Sequence, residues 1–350
     1  MTVKITKPEI NIREKINELD KPSGIAGEAI LRAETPQEQF NLIGAGRKNL
    51  IINGENKISQ RGDYTTATAV TDGSYYIDRW KVYESGVSVN LTHKQDQALP
   101  DGSVSHTQRY DVTVANTGYT GAQQILEESL TVGRYYTISA WVKSDDPNMN
   151  LFASGGHQRS FHSGSGGWEK LSITWQETGQ GNSYGIINYT SGGNPMVVGN
   201  FVEFTQFQLE LGKVATPFEH RSYGEELALC ERYYQKSYDK DAYVTGSTSL
   251  SSVGAVDHYG SSDATNVLAQ VYFRTQMRDA PTVTTYDPNS SNGGNAYSGR
   301  AYINSNSGSA SYNTTTNNIG TTSFRSYVPR NGAAWAAHRL IFQWQADAEL

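Results

Sequence analysis

The chain has 350 residues, with 29 Lys and Arg against 35 Asp and Glu and a net charge of −6, so it lacks the basic surface that marks nucleic-acid partners. A hydrophobic fraction of 37% beside 34 Gly and 22 Tyr suits turns and β-surfaces more than packed helices. The single cysteine, Cys230, excludes an intramolecular disulfide and a multi-cysteine metal site.

The opening residues MTVKITKPEI lack the apolar stretch and cleavage site of a secretory leader. No run approaches the ~18 apolar residues of a membrane span, so synthesis in a cytoplasm without membrane insertion is expected. Residues 1–47 are charged and helically patterned: Ile12, Ile16 and Leu19 form an amphipathic stripe that Pro22 and Gly24 interrupt. Thr35, Pro36 and Glu38 then supply cap, first-turn proline and capping-box glutamate. About 20 helical residues cannot bury a core alone, which predicts a docking segment or a small bundle.

From Asn49 to Phe218 short alternating runs are separated by Gly, Asn, Asp and Ser. Strands are predicted at 49–53, 75–82, 87–91, 105–114, 135–142, 170–175, 184–189 and 200–211, a number that suits a two-sheet sandwich. In 135–142 the alternation puts Tyr136, Ile138, Ala140 and Val142 on a core face, with Tyr135, Thr137, Ser139 and Trp141 opposite. Residues 222–236 read as a helix opened by a Ser222–Glu225 capping box, with Leu227, Cys230 and Tyr234 on one face. Beyond it, strands are predicted at 267–275, 282–286, 300–304, 323–328 and 339–344. The tract 304–322 offers only Ala310, Tyr312 and Ile319 as sizeable or apolar side chains, so it is expected to be disordered or to need neighbouring chains to complete a core.

Asn49-Leu50-Ile51-Ile52-Asn53-Gly54, Gln60-Arg61-Gly62 and Ile77-Asp78-Arg79-Trp80 resemble the opening of phage tail-fibre jelly rolls akin to carbohydrate-binding modules. Gln206-Phe207-Gln208-Leu209-Glu210-Leu211-Gly212, followed by 215–227, resembles the sandwich-to-helix junction of such proteins, and 273–283 with 342–348 is similar to their C-terminal domain. The N-terminal segment is similar to those of marine phage structural proteins. The resemblance implies a mainly β chain: a jelly-roll β-sandwich (48–221), a connector helix (222–236) and a C-terminal trimeric β-domain (237–350). A short helical segment (1–47) would attach it to other virion tail proteins. The implied protein is a homotrimeric tail fibre or receptor-binding subunit, assembled in the host cytoplasm and carried on the virion, that binds host surface glycan and is not an enzyme. Alternatives are a structural adaptor, tail hub or head-decoration protein, and a glycan-degrading tailspike.

For glycan contact the candidates are His157, Arg159, Phe161 and His162 in a Gly-rich loop, and Tyr286, Tyr302 and Trp335 in the C-terminal region. Aromatic faces stack on sugar C–H surfaces while Arg and imidazole bind hydroxyls. The two histidines could also share a metal, or the loop could be merely solvated; Trp335 fits an interface equally. Leu227, Cys230, Tyr234, Phe342 and Trp344 are the candidate trimer contacts. Asp145-Asp146 and Glu127-Glu128 sit too close together for a glycosidase pair, which needs carboxyls ~5–9.5 Å apart across the sugar. Related modules place a calcium beside an acidic residue of the last strand; the matching Phe204-Thr205-Gln206-Phe207-Gln208 has none, so no metal or cofactor is expected.

Overall fold

A computed structural model describes residues 48–85, 88–114, 118–154, 159–187, 197–237, 256–260, 266–288, 297–305, 308–329 and 338–350; the expected 1–47 helices, His157 and Trp335 lie outside them. Eleven strands build the first unit: β1 (Thr68–Ala69), β2 (Lys81–Ser85), β3 (Ser88–Ala98), β4 (Val104–Val114), β5 (Tyr119–Ile125), β6 (Tyr135–Ser144), β7 (Asn150–Ala153), β8 (Ser160–Phe161), β9 (Trp168–Gln176), β10 (Ser183–Ile187) and β11 (Phe201–Leu211). Their orders are β1-β3-β4-β11-β6-β9 and β2-β5-β10-β7-β8. The pairs β4·β11, β5·β10, β6·β9 and β7·β8 are those of one long hairpin wrapped into two sheets. That is a jelly roll.

Alternation fills the sandwich. Tyr136, Ile138, Ala140 and Val142 face the core as predicted, meeting Val82, Leu151, Tyr184 and Ile186 from the other sheet. Trp80 sits at the centre, edge-on to Phe204 and Phe207 with centroids at 5.1 Å each. Two expected strands differ. Residues 49–53 form bends because side chains replace the ladder: Asn49 Oδ1 accepts from Ile51 and Leu209 N–H, and Asn53, at φ 59°, accepts from Ile58 N–H and donates to the Ile58 and Asp78 carbonyls. In 75–82 the chain becomes a strand only at Lys81, after the left-handed Arg79 at φ 71°.

One helix, α1 (Tyr223–Glu231), follows, with the capping box of Ser222 and Glu225 in place. It ends earlier than expected, and Tyr234 belongs to a strand instead. Its buried positions are Glu226, Cys230 and Glu231, while Leu227 is half-buried. Glu226 bonds Arg221 and the Asn53 N–H and Glu231 bonds Arg274, so ion pairs decide the helix orientation more than the apolar stripe does.

The last unit comprises β12 (Tyr234–Lys236), β13 (Val256–Gly260), β14 (Asn266–Tyr272), β15 (Thr282–Asp287), β16 (Tyr297–Ser298), β17 (Arg300–Ser305), β18 (Gly308–Asn313), β19 (Thr315–Asn317), β20 (Ser323–Pro329) and β21 (His338–Asp347). A seven-stranded sheet centres on β21; β14, β20 and β19 form a smaller one. The tract 304–322 supplies β18 and β19, and a core closes within the one chain: Val267, Val271, Phe324 and Val328 pack with Leu340, Phe342 and Trp344. The sparse apolar residues suffice because strand alternation aims most of them inward, Val267, Ala269 and Val271 of β14 among them, while Leu268, Tyr272 and Ala310 face out. Phe342, Trp344, Cys230 and Tyr234, expected at a trimer contact, are thus buried within their own chain. Among the described residues no helix is long and apolar enough to cross a membrane.

The end of β21 returns to the sandwich. Glu349 pairs with Arg79 and Arg61, and Arg61 stacks 3.9 Å from the Tyr234 ring centroid. A cleft of about 350 Å³ opens beside this junction, lined in part by Leu50, Leu126, Tyr136 and Tyr233, with Arg232 and Glu127 paired across its rim.

Ionisable groups at the sandwich end make stability depend on pH. Burial lowers the pKa of His93 and of His106, whose rings lie 5.7 Å apart and repel when charged. The unfolded chain therefore binds protons more readily there, and their contribution, present above the ordinary His pKa near 6.5, is lost as pH falls through the lowered values. Asp78 has the opposite sign: burial pushes its carboxyl up to about 6, against the pull of Arg61, so its contribution is full below the ordinary Asp value and lost as pH rises through about 6. The melting temperature of His93→Gln relative to the parent is expected to improve on going from pH 7.5 to pH 5. A constant difference would remove His93 from the account.

Candidate functional site

The outer face of the five-stranded sheet gathers the side chains best suited to a ligand. Because Val82, Ala122, Ile186 and Leu151 point into the core, their strand neighbours point out. Direct cross-strand register then gives one row, Tyr83, Gly121, Ile187, Asn150 and Phe161, and a second, Lys81, Gln123, Gly185 and Phe152. Four interstrand spacings of ~4.8 Å make the longer row roughly 19 Å, enough for several sugar rings.

One end of this face is a pair of tyrosines, Tyr83 and Tyr119, with ring centroids 4.8 Å apart. The other is polar and aromatic together. The Arg159 guanidinium donates to Asn150 Oδ1 at 2.7 Å and lies 5.8 Å from the Phe152 ring centroid, while Phe161 is 47% exposed. Between them the floor is glycine. A Cβ on Gly121 would lie 1.9 Å from the Ile186 carbonyl oxygen, and one on Gly185 2.1 Å from that of Ala122. The backbones of β5 and β10 therefore approach in a way that any side chain would obstruct.

Such a face offers the Tyr83, Tyr119 and Phe161 rings for stacking and the Arg159 guanidinium for hydroxyls, with Asn150, Phe152 and Ile187 buried beneath them. Among the described residues of its two rows none is a carboxylate, so they hold no general acid or nucleophile of the kind glycoside hydrolysis uses.

Of the residues expected from sequence, Arg159 and Phe161 lie on this face. His162 does not: it is buried, its Nδ1 accepts from Gly164 N–H at 2.9 Å and its Nε2 contacts the Gly167 carbonyl at 3.0 Å. Those contacts close the following turn. Tyr286 is half-buried in β15, where burial raises its phenol pKa, and Tyr302 is buried in β17; neither converges with the sandwich face. Tyr83, Tyr119, Asn150 and Phe152 were not anticipated. Alternation from Val82 could have exposed Tyr83, but Tyr119-Thr120-Gly121-Ala122-Gln123-Gln124-Ile125 has too little apolar contrast to announce a strand.

No protein-family model and no curated protein matches the chain. Similar solved structures include the enzymatically active domain of bacteriophage CBA120 tailspike protein 4, at 13% identity over 47% of this chain and 21% of that one, TM-score 0.29. A family 11 carbohydrate-binding module from Clostridium thermocellum, in complex with a β-1,3-1,4-mixed-linked tetrasaccharide, aligns at 15% identity over 43% of this chain and 98% of that one, TM-score 0.25. TmCBM61 in complex with β-1,4-galactotriose aligns at 13% identity, 47% and 100% coverage and TM-score 0.24. The alignment thus spans about a fifth of the tailspike domain. At these scores the likenesses carry no functional conclusion, and the jelly-roll assignment rests on the strand order.

Proposed function

We propose that this chain is a virion protein of a tailed phage, a fibre or receptor-binding subunit whose jelly roll adsorbs to host surface glycan without cleaving it. The observation that carries the glycan reading is the glycine-floored face, with Tyr83 and Tyr119 at one end and, at the other, Arg159 and Phe161 set over the buried Asn150 and Phe152. The phage reading is supported by the sequence resemblance at 49–80 and 206–227, and with it residues 1–47 attach the subunit to tail proteins of the particle. Assembly as a homotrimer would multiply weak sugar contacts into useful avidity.

The full chain on an array of bacterial surface glycans is expected to bind at least one class. Tyr83→Ala with Tyr119→Ala should weaken that binding roughly tenfold, a loss of about 1.4 kcal/mol, with little change in melting temperature. Reducing ends released from the bound glycan would overturn the non-enzymatic part. A folded protein that binds nothing on the array would instead favour an adaptor within the particle.

A further inference from the structure

The opposite face of the jelly roll carries a second, independent arrangement of rings and charges. On the outer side of the six-stranded sheet Trp141 stands directly opposite Lys170, and Lys143 directly opposite Trp168. Ala140, Val142 and Leu171 point into the core, so all four side chains point away from it, and none is buried. The two rings are diagonal neighbours across β6 and β9, which places them roughly 7–8 Å apart. Trp141 is held in place, its Nε1 donating to Asp101 Oδ2 at 3.2 Å.

The charges around these rings divide into two sets. Lys94 and Arg109 are taken up by Glu203 and Asp111, and Glu203, although opposite Lys143 in register, turns its carboxylate to that neighbouring cluster. Lys143 and Lys170 make no ion pair among the described residues. Asp101 is the acid beside Trp141: its carboxylate is bonded to Ser103 and Trp141 and also lies within electrostatic reach of Lys170, without an ion-pair contact to it. In a chain of net charge −6 this leaves two ammonium groups alternating with two indoles.

We propose that this face binds an acidic polysaccharide, the rings stacking on the sugar C–H faces and Lys143 and Lys170 meeting its carboxylate or sulfate groups. The rings do not merge into a continuous apolar patch of the sort that protein interfaces bury. Lys143 and Lys170 complete the square that the two rings open, and the exposed hydroxyl residues Ser172 and Thr174 continue it beyond Trp141. That checkerboard matches a polymer that is itself amphipathic unit by unit and carries negative charge. This second surface shares no residue with the Tyr83–Phe161 face, so it stands or falls separately from the reading given above.

The test is affinity electrophoresis of the full chain through gels containing alginate, dextran sulfate or neutral dextran. At least one of the acidic polymers is expected to retard the protein and the neutral one to leave it unaffected. Trp141→Ala and Trp168→Ala should each weaken retardation roughly tenfold, equivalent to about 1.4 kcal/mol. Lys143→Gln with Lys170→Gln should weaken it and flatten its dependence on salt, whereas Tyr83→Ala with Tyr119→Ala should have no effect. Thermal melting confirms that each variant is folded. Absence of retardation by both acidic polymers, or retardation unchanged in the variant that combines Trp141→Ala with Trp168→Ala, would overturn the proposal. If that variant instead changes the number of associated chains seen by light scattering while retardation persists, the face is an interface between copies and the proposal fails.

Discussion

Arg79→Ala is expected to destabilise the protein by about 3 kcal/mol, the lower end of the cost of removing one member of a buried ion pair. Arg79 is 1% exposed. Its guanidinium pairs with the Glu349 carboxylate, donates to the Ile125 carbonyl at 2.7 Å and lies 3.5 Å from the Tyr233 ring centroid. Truncation would leave Glu349, whose side chain is 4% exposed, with only its longer contact to Arg61 at 3.4 Å, and empty a space that three segments share. Because those segments are the end of β5, the turn between α1 and β12 and the residues that follow β21, the loss should appear as one cooperative shift in urea denaturation followed by circular dichroism. Replacing both partners, Arg79→Met with Glu349→Leu, should recover much of the loss, since an apolar pair of similar volume leaves no uncompensated charge. A single-variant loss below about 1 kcal/mol, the range of exposed pairs, would show that the junction is not the tie described here.

Gly121→Val should also be severe, with an expected loss of about 3 kcal/mol or more, at the upper end of overpacking costs. Its Cβ would have to occupy a point 1.9 Å from the Ile186 carbonyl oxygen, and a carbonyl in a paired strand cannot swing aside as a flexible side chain can. The sheet must open between β5 and β10, where Gly121 pairs with Ile187 and Gly185 with Gln123. Both glycan contact and melting temperature should therefore fall together, unlike the Tyr83 and Tyr119 variants, which should spare the fold. Gly102→Val is the matched control on an exposed turn, where nothing lies within 4 Å although φ is +84°; it should cost less and leave the binding face intact. Equal losses for both glycines would mean that backbone strain, not the close approach of β5 and β10, sets the effect.

Much of the jelly roll was legible because its long strands carry extended alternating runs, in 200–211 on either side of a bulge between Thr205 and Gln208: 105–114, 135–142 and 200–211 were each found within a few residues of their observed limits. The candidate face was less legible. It is built largely from β5, β7 and β8, which are short or lack apolar contrast, and its key property is a cross-strand row that exists only once register is known. Arg159 and Phe161 were found for their chemistry, while His162, of equal chemical promise, turned inward to satisfy loop amides. The motifs behind the family resemblance have a structural use here. Glu219 accepts from the N–H groups of Lys48 and Asn49, and Arg221 donates to the carbonyls of Ile51 and Asn49, so the stretches around 49–53 and 219–226 clamp each other. The helix stripe at Leu227 misled because buried glutamates offset their desolvation cost through arginines outside the helix, Glu226 with Arg221 just before it and Glu231 with the distant Arg274.

The central claim, that the jelly roll holds glycan on the outer face of its five-stranded sheet, is tested most directly by hydrogen exchange on the full chain with and without the glycan selected on the array. Slowed exchange is expected in peptides covering 81–85, 119–125, 150–161 and 183–187, with 266–287 and 323–329 unchanged. Protection confined to the C-terminal strands, with β5 and β10 exchanging as they do in the free protein, would contradict it.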